Sequence, residues 1–414
     1  MQFPEMATVR QHFQAVAETD VPARVRSELE GAGLRESIAP GARIAVSTGS
    51  RGIANIDAII RAVVQCVTDA GGRPFILPAM GSHGGATAEG QKQVLAEYGI
   101  SPATMGVDVE STMEVVEVDR LEDGTPVLVN RLALESDGVI LVNRIKPHTS
   151  FRGPCESGLM KMMTIGLGSH RGATVAHSRG VHGLATLIPA WGRSILAKAP
   201  ILMGLAVIEN AYEQTGRLVA LRRDDIPRRE PELLVEAREA MPRLLVRGID
   251  LLIIEEIGKD ISGTGMDTNV VGRMMLPGVK EPEVPGVGRI VVLDLSERTN
   301  GNANGMGLAD IVTRRLVDRV DHKATYANAF TSTYLNRAYI PVIMETDREA
   351  IAAALQVAGL EDAASARIVR IRNTLALASI QVSTPLLAEF ASHPQIEQVG
   401  EPQPLTFSSE GQLI

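Results

Sequence analysis

Aromatic side chains make up only 3% of this 414-residue chain, and it has a single tryptophan. The core must therefore be aliphatic, built from Val, Ile, Leu, Ala and Met. Cysteine is nearly missing: Cys66 and Cys155 give no disulfide framework in a chain of this length. Long apolar runs are lacking too. Stretches such as 201–208 fall far short of the ~20 residues that cross a bilayer, so no membrane partner is expected. The opening MQFPEMATVRQ shows neither a basic n-region nor an apolar h-region, so no signal peptide is expected and the compartment implied is the cytoplasm. Nor is there an excess of positive charge. Against 49 acidic residues stand 41 Lys and Arg, a net charge of −8, which argues against a nucleic-acid partner. HExxH, paired CxxC, GxSxG and Walker A motifs are all absent, which argues against zincins, zinc ribbons, α/β-hydrolases and P-loop NTPases.

What is present reads as a globular chain, 45% hydrophobic and 22% charged. At roughly 150 residues per domain, its length predicts two or three domains. Residues 42–48 form an apolar run ending in Gly49-Ser50-Arg51-Gly52. A helix is expected next, because Ile56, Ile59, Ile60, Val63, Val64 and Val67 recur at helical spacing before Gly71-Gly72. A strand at 74–80, a helix at 87–98, antiparallel strands within 107–130 around Asp123-Gly124, and a buried strand at 139–145 follow. Further on come a helix at 185–198, a strand at 202–208 and an amphipathic segment at 230–245. The second half offers strands at 249–255 and 289–295 and helices at 307–320 and 349–358. Strand, crossover helix and strand in this order predict an α/β fold: two α/β domains with largely parallel sheets and the active site in the cleft between them. The expected boundaries are 1–245, 246–400 and a tail, 401–414, that packs loosely or returns to the first domain.

Four places carry side chains suited to chemistry, and three of them follow a predicted strand, where open α/β sheets gather their ligands. Thr48, Ser50 and Arg51 lie in a small, glycine-containing turn that suits an anion or serves as an ordinary strand-to-helix turn. His83 sits among glycines in Gly81-Ser82-His83-Gly84-Gly85, either a general acid/base or a solvated loop histidine. The third place, 146–183, has no clean period yet holds four of the eight histidines. There Lys146-Pro147-His148 leads to Lys161, which stands amid Leu159, Met160, Met162 and Met163, a setting that favours a neutral, nucleophilic amine. His177 follows sixteen residues later, a residue type that often ligates nickel or zinc. Gly166-Leu167-Gly168 with Gly172 imitates part of a dinucleotide fingerprint. Finally, Lys259, Asp267, Asn269 and Arg273 lie on a polar, glycine-containing loop that either grips a small carboxylate or is tied by its own turns.

At these residues the sequence resembles the nickel-pincer-nucleotide-dependent lactate racemase family of 2-hydroxy acid racemases and epimerases. GSHGG around His83, KPH ending at His148, the run ending at Lys161, and His177 carry the likeness, which spans most of 42–275. The resemblance implies a nickel pyridinium-3,5-bisthiocarboxylate mononucleotide, with Lys161 as its covalent tether, His177 as the nickel ligand, and Thr48, Ser50 and Arg51 beside it. His83 and His148 would be paired acid/base residues, and Arg51 would also contact substrate. The chain departs from the family at Thr48, where an aspartate is usual, and at Gly272, where a glutamine is usual. Asp267 and Asn269 keep the family pattern, with Arg273 or Lys259 in place of the missing lysine. The activity implied is an isomerase: inversion at C2 of a 2-hydroxy acid by hydride transfer through a 2-oxo acid. Its expected partners are that small-molecule substrate and the proteins that make the cofactor. Two alternatives are a nicotinamide-dependent 2-hydroxy acid oxidoreductase using the 166–172 glycines, and a non-catalytic nickel-nucleotide binding protein.

Overall fold

The computed structural model describes residues 3–414 other than 51, 278, 391 and 392, with 181 and 182 described by backbone alone. The strands are β1 (Met6–Gln11), β2 (Arg43–Thr48), β3 (Arg73–Pro78), β4 (Val115–Arg120), β5 (Pro126–Asn130), β6 (Gly138–Arg144), β7 (Ile201–Glu209) and β8 (Thr215–Arg222). They continue as β9 (Ile249–Ile257), β10 (Val287–Leu295), β11 (Ile311–Thr313), β12 (Val342–Met344), β13 (Ile368–Ile371), β14 (Ser379–Ser383) and β15 (Ile396–Gln398). The chain divides into two compact units, one of residues 15–241, the other of residues 1–14 with 242–414. Both are α/β, and both sheets are largely parallel.

In the 15–241 unit the sheet runs β3-β2-β6-β7-β8, parallel except for the last pair. Its strands are continuous apolar runs because both faces are buried. Ala45, Phe75, Leu77, Val139 and Leu141 face one core. Ile44, Val46, Ile76, Ile140 and Val142 face the other, where the helix Ile56–Asp69 adds Ile59, Ile60, Val63 and Val67. The hairpin of β4 and β5 and the helix Gly180–Lys198 cover the first face, with Trp191 fully buried there. No helix among the described residues is long and apolar enough to cross a membrane.

The other unit has one eight-stranded sheet, β12-β11-β10-β9-β13-β14-β1-β15. Strands β9 to β13 pair in parallel, and β14, β1 and β15 close one end antiparallel. Residues 1–14 thus sit with the C-terminal unit rather than with the first domain expected from sequence. Strand β1 lies between β14 and β15 and contributes Val9 to their core. The tail also stays with this unit: Met6 and Gln403 exchange backbone hydrogen bonds at 2.8 Å, and the Leu413 amide donates to Asp347 at 2.8 Å.

Two stretches differ from their expected form. The helix expected at 307–320 is instead a 3-10 turn (Met306–Leu308), strand β11 and a short helix, Arg314–Asp318. Ile311, Val312 and Thr313 are β-branched and prefer a strand, and Thr313 caps the helix by accepting from the Leu316 amide. Residues 146–183, without clear period in the sequence, are ordered into the turn Leu159–Lys161, a π-helical turn (Met162–Gly166) and the helix Ser169–Ser178.

Candidate active site

Because β3, β2 and β6 are parallel neighbours, the segments leaving Pro78, Thr48 and Arg144 emerge from one edge of the sheet. Those segments carry His83, Ser50 and His148. The Ser50 hydroxyl is hydrogen-bonded to His83 Nδ1, and the Tyr98 hydroxyl donates to the Ser50 carbonyl at 3.0 Å. The His83 ring itself is exposed. Its loop turns at Gly81, whose φ of +61° suits glycine, and a Cβ there would lie 3.3 Å from the Ile165 carbonyl oxygen. The His83 loop is therefore pressed against the turn that follows Lys161.

His148 is anchored from its backbone and its ring. Its amide donates to Glu156 Oε2 at 2.7 Å, its Nδ1 accepts from the Ser150 amide at 3.0 Å, and the ring lies 4.4 Å from that of Phe151. Glu156, buried, also takes the Gly153 amide at 3.2 Å and Arg238 at 3.1 Å. Lys146 and Ser157 exchange backbone hydrogen bonds, which closes the loop at its base.

Lys161 is half-buried on its turn, while Leu159, Met160, Met162 and Met163 around it in sequence are core residues. Three contacts fix this turn. Asn143, at the end of β6, donates to the Gly158 carbonyl at 2.7 Å. The Ser47 hydroxyl meets Met162 Sδ at 3.3 Å. The Met160 amide donates to Glu230 Oε2 at 2.9 Å. Glu230 is wholly buried, and burial pushes its carboxyl up to about 7 against the opposing pull of the Met160 and Leu159 amides. Burial also raises the Cys155 thiol, with Glu230 adding to the effect.

His177 lies near the end of the helix Ser169–Ser178. Its Nδ1 is buried without a hydrogen-bond partner among the described residues, as is the Thr48 hydroxyl at the end of β2. Burial first, and the Lys161 charge second, hold the His177 imidazole down at about 4, so the ring is neutral at neutral pH. Buried polar atoms are nearly always paired in native proteins; in the same unit the Trp191 indole nitrogen, Arg223 Nε and Glu230 Oε1 are likewise without a partner among the described residues. Among the described residues, no group of three or more His, Cys, Asp or Glu is placed to hold a metal.

Residues 6–185 match the model of the lactate racemase N-terminal domain. The matched segment is thus similar to that domain. It contains Thr48, Ser50, His83, His148, Lys161 and His177 in one stretch. In fold, the chain is similar to the lactate racemase apoprotein from Thermoanaerobacterium thermosaccharolyticum, with a TM-score of 0.52 and 13% identity over 88% of this chain and 94% of that one. No curated protein matches the sequence.

Of the remaining expected site residues, Arg51 lies outside the described residues. Those beyond the matched segment make hydrogen bonds inside the 242–414 unit. Asp267 Oδ1 takes both the amide and the side-chain nitrogen of Asn269, at 2.9 and 2.8 Å. Arg273 pairs with Asp310 at 2.7 Å and donates to the Leu308 carbonyl at 3.0 Å, and Lys259 Nζ donates to the Gly263 carbonyl at 2.6 Å. Lys259, Asp267 and Asn269 thus bond within their own loop, whereas Arg273 reaches Leu308 and Asp310 just before β11. The glycines at 166–172 follow a π-helical turn rather than a strand, so the strand-to-helix context of a dinucleotide fingerprint is missing.

Glu156, Ser150 and Glu230 had not been singled out in the sequence. Glu230 did leave a signal: Ile226, Glu230, Leu233, Leu234 and Ala237 share one helical face, and all are buried. One acid on an otherwise apolar stripe marks a buried carboxylate. Glu156 and Ser150 act through loop geometry that has no sequence period.

Proposed function

We propose that this protein is an isomerase that inverts C2 of a 2-hydroxy acid with the help of a nickel-pincer nucleotide. The observation that carries this reading is His177, whose neutral ring has a buried nitrogen without a partner among the described residues and feels the charge of Lys161. The donor set fits such a group. A neutral imidazole is the form that ligates a metal, and with no cluster of three protein ligands among the described residues, a metal here must bring donors of its own. The orphaned Thr48 hydroxyl adds a polar contact.

When bound, the nucleotide supplies a hydride acceptor and donor, which suits a C–H too weakly acidic to be removed as a proton beside a carboxylate. Lys161 would hold it through its amine, and His177 would ligate the nickel. His83 and His148 would handle the substrate oxygens: an imidazole accepts the hydroxyl proton as the C2 hydrogen leaves, and a proton returns to oxygen once the carbonyl has presented its other face. Arg51 would contact substrate or cofactor, as the resemblance implies. The protein's contribution is orientation and exclusion of water.

The test is to load the protein in cells that synthesise the nucleotide and offer single enantiomers of short 2-hydroxy acids, with products resolved by chiral chromatography. The opposite enantiomer should accumulate toward a racemic or epimeric equilibrium without net 2-oxo acid. Net oxidation coupled to a nicotinamide, or no inversion of any of these acids by fully loaded protein, would contradict the proposal.

A further inference from the structure

We propose that Glu230 is a positioning residue for Lys161: from a helix outside the matched segment it caps the turn that carries the amine, and so sets where that amine stands. That Lys161 is a tether rests on the proposed function; the capping concerns the chain alone.

Helical turns leave their first amides unpaired, and a side chain at the N-cap usually takes one of them. The turn Leu159–Lys161 starts at Gly158, which has no side chain to offer. Its acceptor comes instead from Glu230, on the helix Ile226–Ala240. Oε2 of Glu230 takes the Met160 amide at 2.9 Å, with the Leu159 amide as a second pull. The carboxylate and a capping side chain exclude one another. A Cβ at Gly158 would lie 2.5 Å from Glu230 Oε1 and 2.7 Å from its Cδ, closer than real Cβ contacts come. Gly158 is extended, with φ of 172°, so its backbone would suit any residue, and it is the approach of Glu230 that requires glycine. From the other side Asn143, at the end of β6, donates to the Gly158 carbonyl at 2.7 Å. The peptides leading into Lys161 are thus held between a strand and a helix.

A three-residue turn has too few helical bonds of its own to fix its direction, so its cap decides where Lys161 stands. The group that does this lowers stability: Glu230 is wholly buried, and burial raises its carboxyl to about 7. An ionised carboxylate is acceptor-only, which lets it serve both amides, where a side-chain amide presents a single oxygen. The same helix carries Arg238, which pairs with Glu156 at 3.1 Å in the loop before the turn.

The experiment uses the full chain made without the nucleotide, at pH 8, where Glu230 is ionised. Every lysine is labelled with a small amine-reactive anhydride, and each rate is read by peptide mass spectrometry. Glu230→Met removes the acceptor, so Lys161 should label about tenfold faster, the worth of one hydrogen bond, with the other lysines unchanged. Glu230→Gln keeps one oxygen for the Met160 amide, and Lys161 should label close to the wild-type rate. Methionine and glutamine differ little in volume and both are neutral, so the contrast reports the acceptor rather than packing or charge. Gly158→Ala, which displaces the carboxylate, should reproduce Glu230→Met and carries the test if that variant does not fold. Arg238→Met, on the same helix, should leave Lys161 at the wild-type rate. Equal Lys161 rates in the two Glu230 variants, a wild-type rate in Gly158→Ala, or a rise shared by all lysines would overturn the proposal. In cells that make the nucleotide, any covalent mass on Lys161 should fall about tenfold in Glu230→Met and return in Glu230→Gln. Labelling needs no nucleotide, so wild type without nickel would contradict the cofactor reading and leave the capping result standing.

Discussion

Thr48 and Glu230 show how single buried polar groups divide between stability and function. The Thr48 hydroxyl has no partner among the described residues, although the residue is fully buried at the end of β2. Such a group destabilises the ligand-free protein, and valine has the same shape and β-branching without it. Thr48→Val should therefore raise the melting temperature of metal-free protein, by about 1 kcal/mol of stability, while weakening retention of a bound nucleotide. An unchanged or lower melting point would mean the hydroxyl is satisfied.

Glu230 makes a prediction with a definite sign. Its folded-state value of about 7 lies above its ordinary 4.5. Below pH 4.5 both folded and unfolded chains hold the proton, and this carboxyl takes nothing from stability. As pH rises from 4.5 to 7 the unfolded chain releases the proton first, so stability falls, on the order of 3 kcal/mol in all, and levels above 7. Denaturant titrations of wild type and Glu230→Gln between pH 5 and 8 should show the slope in wild type and lose it in the variant. Parallel curves would contradict it. The carboxylate was legible as a polar residue on an apolar helical stripe. Its partners, the amides of the Lys161 turn, were not, because 70 residues separate Glu230 from Met160 and only the tertiary fold joins them.

At the scale of elements, what the sequence disclosed follows its periodicity. The helix from Ile56 and the two-faced apolar strands β2, β3 and β6 were legible because their side chains repeat at 3.6 or fill both faces. The π-helical turn Met162–Gly166 was not, since one extra residue per turn breaks the period on which such reading depends. That turn is fitted closely to the end of β3. A Cβ at Gly166 would lie 2.6 Å from the Ala79 carbonyl oxygen, a backbone atom with little room to yield. Gly166→Ala should thus destabilise the protein by about 1–3 kcal/mol, as overpacking does, and displace Lys161 from its place. Thermal melts check the first effect. A variant with wild-type stability would show that the turn is looser than its contacts indicate.

Across the whole molecule, sequence order and spatial organisation part company at the N-terminus. Strand β1 is first in the chain but lies between β14 and β15, strands more than 360 residues away, with Met6 opposite Ser383. Alternating hydrophobicity reveals a strand but not its distant partner, which is why residues 1–14 were read with the wrong domain. Deleting residues 1–14 should expose β14 and detach β15, making the 242–414 region the first to be cut in limited proteolysis. Unchanged protection of that region would contradict the pairing. The chemistry-bearing residues were more legible than this topology. His83, His148, Lys161 and His177 lie in short, distinctive runs within residues 6–185, the segment that matches the lactate racemase N-terminal domain.

The central claim is that His177 offers its buried nitrogen to nickel beside a Lys161 tether. It is tested most directly by the nickel content and intact mass of the full chain, produced in cells that make the pincer nucleotide, beside His177→Ala and Lys161→Ala. The account predicts about one nickel per chain in wild type, as one imidazole site allows. That nickel should be lost in His177→Ala, and any covalent mass increment should be lost in Lys161→Ala. Folded wild-type protein without nickel, or His177→Ala with its full complement, would contradict it.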